Sequence, residues 1–176
     1  YTNGSRVYAK DNSLVAQGLN GDTTQIQGVA ILPKTTCKGC QAEYYIFTFH
    51  RNAAGENQIY YSIYDRKLNG GKGGISVKNA FLSPASSAER FGIAVGTGDY
   101  YWLQTQNANS DIVKTFKVSK AGISAPIEAN AQSPANGNTA STHFSRDGKV
   151  LAIAYFAPPS NQVDIYDFDV ATGKST

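Results

Sequence analysis

Residues 43–50 read EYYIFTFH, and residues 99–106 read DYYWLQTQ. Each stretch opens on an acid and two tyrosines, then alternates apolar and smaller or polar side chains. That alternation has the two-residue period of a strand with one face toward a core. Aromatic and β-branched types suit such a pleated, half-buried surface. A chain that writes nearly the same strand twice is expected to repeat the unit around it.

Working outward from each copy tests that expectation. Before the first copy lies Gln27–Pro33 (QGVAILP); after it lies Ile59–Asp65 (IYYSIYD), closed by Asn69-Gly70-Gly71-Lys72-Gly73-Gly74. Around the second, Arg90–Gly96 (RFGIAVG) leads through Gly98-Asp99 into Tyr100–Thr105, then Ile112–Val118 (IVKTFKV) ends on Lys120-Ala121-Gly122. The order recurs once more: Thr142–Ser145 (THFS), the turn Arg146-Asp147-Gly148-Lys149, Val150–Phe156 (VLAIAYF), and Val163–Asp169 (VDIYDFD) ending on Ala171-Thr172-Gly173. The middle strands begin at Tyr44, Tyr100 and Val150, a period of about fifty residues. Ile75–Leu82 (ISVKNAFL) and Ile123–Ile127 (ISAPI) supply a fourth strand between one unit and the next.

Four antiparallel strands per roughly 40–50 residues describe the blade of a β-propeller. A β-sandwich also turns every roughly 8–12 residues, but it does not require three cognate turn-strand-strand units. The helix-like stretch Ser83–Arg90 begins Ser-Pro and is short. The expected fold is therefore all-β, with about three complete blades and part of another. The approximate divisions are 1–22 (the end of a blade, with Arg6–Lys10 its last strand), 23–74, 75–122 and 123–176. Closed propellers typically need about four to eight blades. The remaining blades are expected from the same protein or another chain, since open strand edges invite aggregation. The chain begins Tyr-Thr-Asn-Gly and has no Met, which suits a piece of a longer or processed polypeptide.

Composition narrows the function classes. The chain is 41% hydrophobic, so a core can be buried, while 17 Gly and only 16% charged residues favour strands and tight turns over amphipathic helices. The net charge is +3 and the Lys and Arg residues are scattered, without the basic stripe of a nucleic-acid binder. No window approaches the ~18 apolar residues of a membrane-spanning helix.

Few motifs carry chemistry. Cys37 and Cys40 sit in Thr-Cys-Lys-Gly-Cys. A CxxC pair can be a local disulfide across a turn, half of a zinc site, or a redox motif. A zinc site needs two further ligands, for which only His50 and His143 are available, and a redox motif expects a helix that does not follow. Gly173-Lys174-Ser175 lacks the upstream glycine of a phosphate loop, because Phe168 stands there. Ser145-Arg146-Asp147-Gly148-Lys149 fails as a sialidase Asp-box, in which a residue separates Asp from Gly. It is similar to the Asp-Gly-Lys turn of TolB-like propeller repeats, where Asp caps the turn and Gly takes a positive φ.

The carboxylates Glu43, Asp65, Asp99 and Asp169 occupy matched positions at strand ends, as turn geometry requires. A catalytic pair would have to break that symmetry and converge on one pocket. His50 and His143 are far apart in sequence. Asn20–Asp22 and Asn107–Asp111 are oxygen-rich but lack the spacing of an EF-hand loop. No residue is assigned a catalytic, cofactor-binding or metal-ligating role.

With these motifs placed, the chain resembles the β-propeller regions of large secreted Bacteroidota proteins exported by the type IX (gliding-associated) secretion system. The resemblance rests on Tyr44–Thr48, Tyr61-Ser62, Leu68-Asn69-Gly70-Gly71, Phe144–Lys149 and Asp167–Gly173, in that order, and on the opening Tyr1-Thr2-Asn3-Gly4. The Cys37–Cys40 pair departs from the family pattern in that loop and fits an exported protein with a local disulfide. The resemblance implies a secreted or cell-surface location and a non-catalytic role in protein or glycan binding or adhesion. Two alternatives stand beside it. One is a propeller-type glycoside hydrolase or lyase, which would cluster acids such as Asp99, Asp111, Asp147 and Asp164. The other is a structural spacer in a multidomain surface protein.

Overall fold

The structure is a computed structural model that describes residues 1–23, 28–55, 57–83, 91–106, 112–130, 138–156 and 161–176. It is all-β, with four antiparallel sheets of two to five strands and, among the described residues, one 3₁₀ turn at Asn69–Gly71. A hairpin of β1 (Arg6–Tyr8) and β2 (Leu14–Gln17) comes first. The first full sheet orders β3 (Val29–Pro33), β4 (Glu43–Arg51), β5 (Asn57–Asp65) and β6 (Gly74–Ser83) as 3-4-5-6. The second contains β7 (Gly92–Val95), β8 (Tyr100–Gln106) and β9 (Ile112–Ser119), with β10 (Gly122–Ile123) and β11 (Ile127–Asn130) both on the outer edge of β9. The third orders β12 (Asn138–Phe144), β13 (Val150–Phe156), β14 (Gln162–Asp169) and β15 (Lys174–Ser175) as 12-13-14-15.

Each full sheet is thus a meander in chain order, and EYYIFTFH and DYYWLQTQ are the second strands of successive sheets. The stretch that sequence places between one unit and the next, Ile75–Leu82, pairs with β5 and completes the first sheet. The turn before it explains this, since Asn69, Gly70, Gly71 and Gly73 all take positive φ and return the chain onto β5. Sequence reading misses β2 altogether. Its residues Leu-Val-Ala-Gln are few and only partly buried, so they show little alternation. The stretch Ser83–Arg90 lies beyond the described residues after its first member.

The chain forms two compact units, Tyr1–Ala85 and Ser86–Thr176. In the first unit, Val7, Leu19 and Ile46 are buried between the hairpin and the first full sheet, with Val15, Val29, Tyr64 and Ile75 packed around them. The last strand of the hairpin, β2, lies along the last strand of the sheet, β6. Asn79 locks this arrangement from a bulge in β6 at φ 54°. Its Oδ1 accepts the Asn20 N–H at 2.8 Å, and its Nδ2 donates to the Gly18 carbonyl at 3.0 Å. The opposite face of the sheet buries Tyr45, Phe47, Phe49 and Ile59. Each such side chain contributes roughly 1.5–3 kcal/mol by leaving water.

In the second unit, two full sheets pack face to face. Trp102 and Tyr100 of β8 meet Leu151 and Ile153 of β13 and Tyr166 and Phe168 of β14. First strand lies near first strand (β7 with β12), and outer strand near outer strand (β11 with β15). Trp102 Nε1 donates to the Val170 carbonyl at 2.8 Å, and the Tyr100 hydroxyl donates to the same oxygen at 3.2 Å.

Candidate binding groove

Strand alternation divides the tyrosine doublet of β4. Tyr44 and Ile46 point to the hairpin side, while Tyr45 and Phe47 point to the other face. Opposite them, the ladder pairs Tyr44 with Tyr64 and Glu43 with Asp65. Neighbouring ladder pairs lie on alternate faces, so the two acids fall on the side away from the hairpin. Glu43 is engaged by Lys34 Nζ at 3.3 Å, and Asp65 Oδ1 accepts the Lys67 N–H at 2.8 Å.

A cavity of about 330 Å³ opens between the hairpin and this face. Its walls carry Tyr1, Tyr8, Tyr44 and Tyr64, with Lys10 and Arg66 as the charged members. Ile31 and Ile46 add apolar surface. Tyr1 stacks on Tyr8 with ring centroids 4.9 Å apart and planes 15° apart, and Tyr44 tilts against Tyr64 at 6.3 Å. Both Tyr1 (65%) and Ile31 (45%) remain open to solvent, so the groove is accessible. A second cavity of about 960 Å³ shares Ala9, Lys10 and Tyr64 with the first and extends along Asp11, Ser13 and Lys72. The Tyr64 phenol ring packs directly on the Gly73 backbone, in space that a Cβ at that position would fill. Asp11 is fully exposed, and hydrogen bonds from Ser13 hold its carboxyl below the usual range.

Arg66 is tied to the cysteine loop. Its N–H donates to the Ala42 carbonyl at 2.8 Å, and Nη1 reaches the Gln41 carbonyl at 3.4 Å. Cys37 and Cys40 are joined as a disulfide with their Cα atoms 5.4 Å apart. Gly39 supplies the positive φ (86°) that the small ring needs. Of the three readings of CxxC, the local disulfide is the one observed.

The remaining sequence candidates do not assemble into a centre. Asp99 lies exposed in the β7–β8 turn, and Asp147 lies exposed in the β12–β13 turn. Asp147 Oδ1 accepts the Ser145 hydroxyl at 2.6 Å and the Lys149 N–H at 3.2 Å, while Gly148 takes φ 74°. The turn chemistry expected from sequence is therefore present. Asp169 likewise caps its turn through Thr172 Oγ1 at 2.7 Å and the Ala171 N–H at 2.9 Å. Gly173 belongs to that turn, and Lys174-Ser175 forms β15. His50 packs edge-on against Tyr60, whereas His143 is exposed on β12 in the other unit. Asn20 serves the Asn79 lock. Asp111 and the stretch Asn107–Asp111 lie outside the described residues. Among the described residues, no three His, Cys, Asp or Glu side chains gather to hold a metal.

Asp164, the fourth of the acids named for a hydrolase or lyase, lies on β14 inside the second unit, beside buried polar groups that sequence reading does not single out. Asp164 is buried and accepts the Tyr166 hydroxyl at 3.1 Å. Gln106 Nε2 donates to the Tyr155 hydroxyl at 3.1 Å. Burial pushes the Tyr155 phenol above the ordinary tyrosine range, with Tyr166 adding to the effect. The groove was also hidden from sequence reading. Tyr1, Tyr8, Lys10 and Arg66 come from short or irregular segments, and the only signal was a tyrosine doublet that must send one ring to each face.

No protein-family model and no curated protein matches the chain. Among solved structures, it is similar to a proposed 6-phosphogluconolactonase from Bacteroides uniformis ATCC 8492, with a TM-score of 0.57 at 16% identity. The likeness covers 97% of this chain and 48% of that one, so the chain spans about half the length of its neighbour. At that identity the likeness concerns the fold alone.

Proposed function

We propose that the full sheets are successive blades of a β-propeller, and that the chain is a non-catalytic binding module of a secreted or cell-surface protein. The ligand is a glycan or a protein, and the remaining blades come from the same protein or another chain. The observation that carries the binding reading is the open, tyrosine-walled groove between the hairpin and the first full sheet. Concave sites with aromatic walls and a few placed polar groups are the usual form of ligand pockets.

The blade reading draws support from the recurring meander order and from the way first strand meets first strand in the second unit. The local disulfide fits an oxidising, exported environment. The resemblance to type IX-exported propellers supplies the surface location. For the hydrolase or lyase alternative, Asp99 and Asp147 occupy corresponding turns of successive sheets, and Asp147 is spent on its own turn. That is the scaffold pattern rather than a catalytic pair.

The test is a glycan and protein array probed with the purified chain. Saturable binding without turnover is the expected result. Binding followed by cleavage of the glycan would move the assignment to the hydrolase or lyase class. Silence on both arrays would leave the spacer role.

A further inference from the structure

The groove in the first unit has a chemistry narrower than glycan or protein. We infer that it is a site for an acidic saccharide, a pyranose bearing a carboxylate or sulfate; this rests on the binding reading above. The first argument is size. A cavity of about 330 Å³ lies at the small-molecule end of ligand pockets, roughly 300–1,000 Å³. A protein partner would need a surface on the order of 1,200–2,000 Å² in total.

The second argument is the wall. A pyranose ring presents an apolar C–H face and a rim of hydroxyls. The phenol rings of Tyr1, Tyr8, Tyr44 and Tyr64 offer flat apolar surface with a polar hydroxyl at the edge. The third argument is charge. The first cavity is lined by two cations, Lys10 and Arg66, and by no acid. The nearest acids along the strands, Glu43 and Asp65, belong to the other face and are engaged there. Asp11 lines only the adjoining cavity, where Ser13 occupies it and Lys72 stands beside it in the lining. The Arg66 backbone N–H is fixed by the Ala42 carbonyl, and its guanidinium Nη1 reaches the Gln41 carbonyl at 3.4 Å, which orients the side chain before any ligand arrives. A planar guanidinium suits a carboxylate or sulfate through paired N–H bonds.

The experiment is calorimetric titration of the chain with tetragalacturonate, with its fully methyl-esterified form, and with a sulfated disaccharide. The esters keep the rings and remove the charge. Binding of at least one acidic probe is expected, with the methyl ester weaker by about tenfold or more. Lys10→Gln with Arg66→Gln should reduce acidic binding by a similar factor, and Tyr44→Ala should weaken it too. The two acidic probes separate a carboxylate site from a sulfate site, and either outcome supports the inference. Equal affinity for acid and ester overturns it, as does unchanged acidic binding in the double variant. If the arrays show binding but both acidic probes fail, the binding reading stands and this inference falls. If the arrays are silent as well, both fall.

Discussion

At Gly173 the chain takes φ 77° and passes so close to Trp102 that a Cβ would lie 2.6 Å from the ring carbons. The same turn offers the Val170 carbonyl to the Trp102 N–H. Gly173→Ala is expected to cost roughly 2–3 kcal/mol, from backbone strain plus displacement of a packed indole. Urea unfolding checks it, and a loss under about 0.5 kcal/mol would show the contact to be soft. The turn aspartates carry a pH signature. Hydrogen bonds to their ionised forms, first from Ser145 and Thr172, hold Asp147 and Asp169 below 3.8. Their contribution is therefore complete above that value and is lost as pH falls through the lower folded values. Unfolding midpoints followed from pH 6 to pH 2 should drop in that window, and the drop should shrink in Asp147→Asn with Asp169→Asn. An unchanged drop would locate the acid sensitivity elsewhere. The Asp-Gly turn was legible in sequence because its chemistry is local. The Trp102 acceptor was not, because it lies 68 residues away in the chain.

Among the elements, the recurring strand was legible and its register was not. The last ladder pair with the first strand is Pro33–Tyr44 in one sheet and Val95–Tyr101 in the next. The two doublets are thus offset by one residue, and a one-residue offset reverses every face. Tyr44 accordingly faces the preceding hairpin, whereas Tyr100 packs with Trp102 toward the following sheet. Matching letters identified the element but could not fix which ring faces the groove. The cysteine loop is the other departure between copies, and its spacing alone left three chemistries open. Closing a four-residue ring stabilises by on the order of 2 kcal/mol in the loop-entropy treatment. Cys37→Ser with Cys40→Ser should lower stability by up to that amount while leaving the far-ultraviolet circular dichroism unchanged. Loss of β signal would mean the loop is needed to form the sheet itself. Gln104 has no structural account, since its amide is fully buried on β8 and neither polar atom has a partner among the described residues.

For the molecule as a whole, composition and repeat spacing were enough for an all-β reading, because strands with a buried face must alternate. Blade number was beyond them, since stacking depends on surfaces distant in sequence. The third full sheet illustrates the point. Its buried face carries Leu151, Ile153 and Phe168, while Val163 and Ile165 on the other face are 60% and 56% exposed. On the proposed arrangement a further blade covers that face. In the chain alone, Val163→Thr with Ile165→Thr should reduce self-association in sedimentation velocity with little change in unfolding midpoint. A large loss of stability would show that the face is already used. The stacking of blades itself is tested most directly by an experimental structure of the polypeptide at its natural length. The full sheets, together with further sheets of the same order, are expected to radiate from one axis with their first strands innermost. Two sheets closed against each other as a sandwich, with no shared axis, would contradict it.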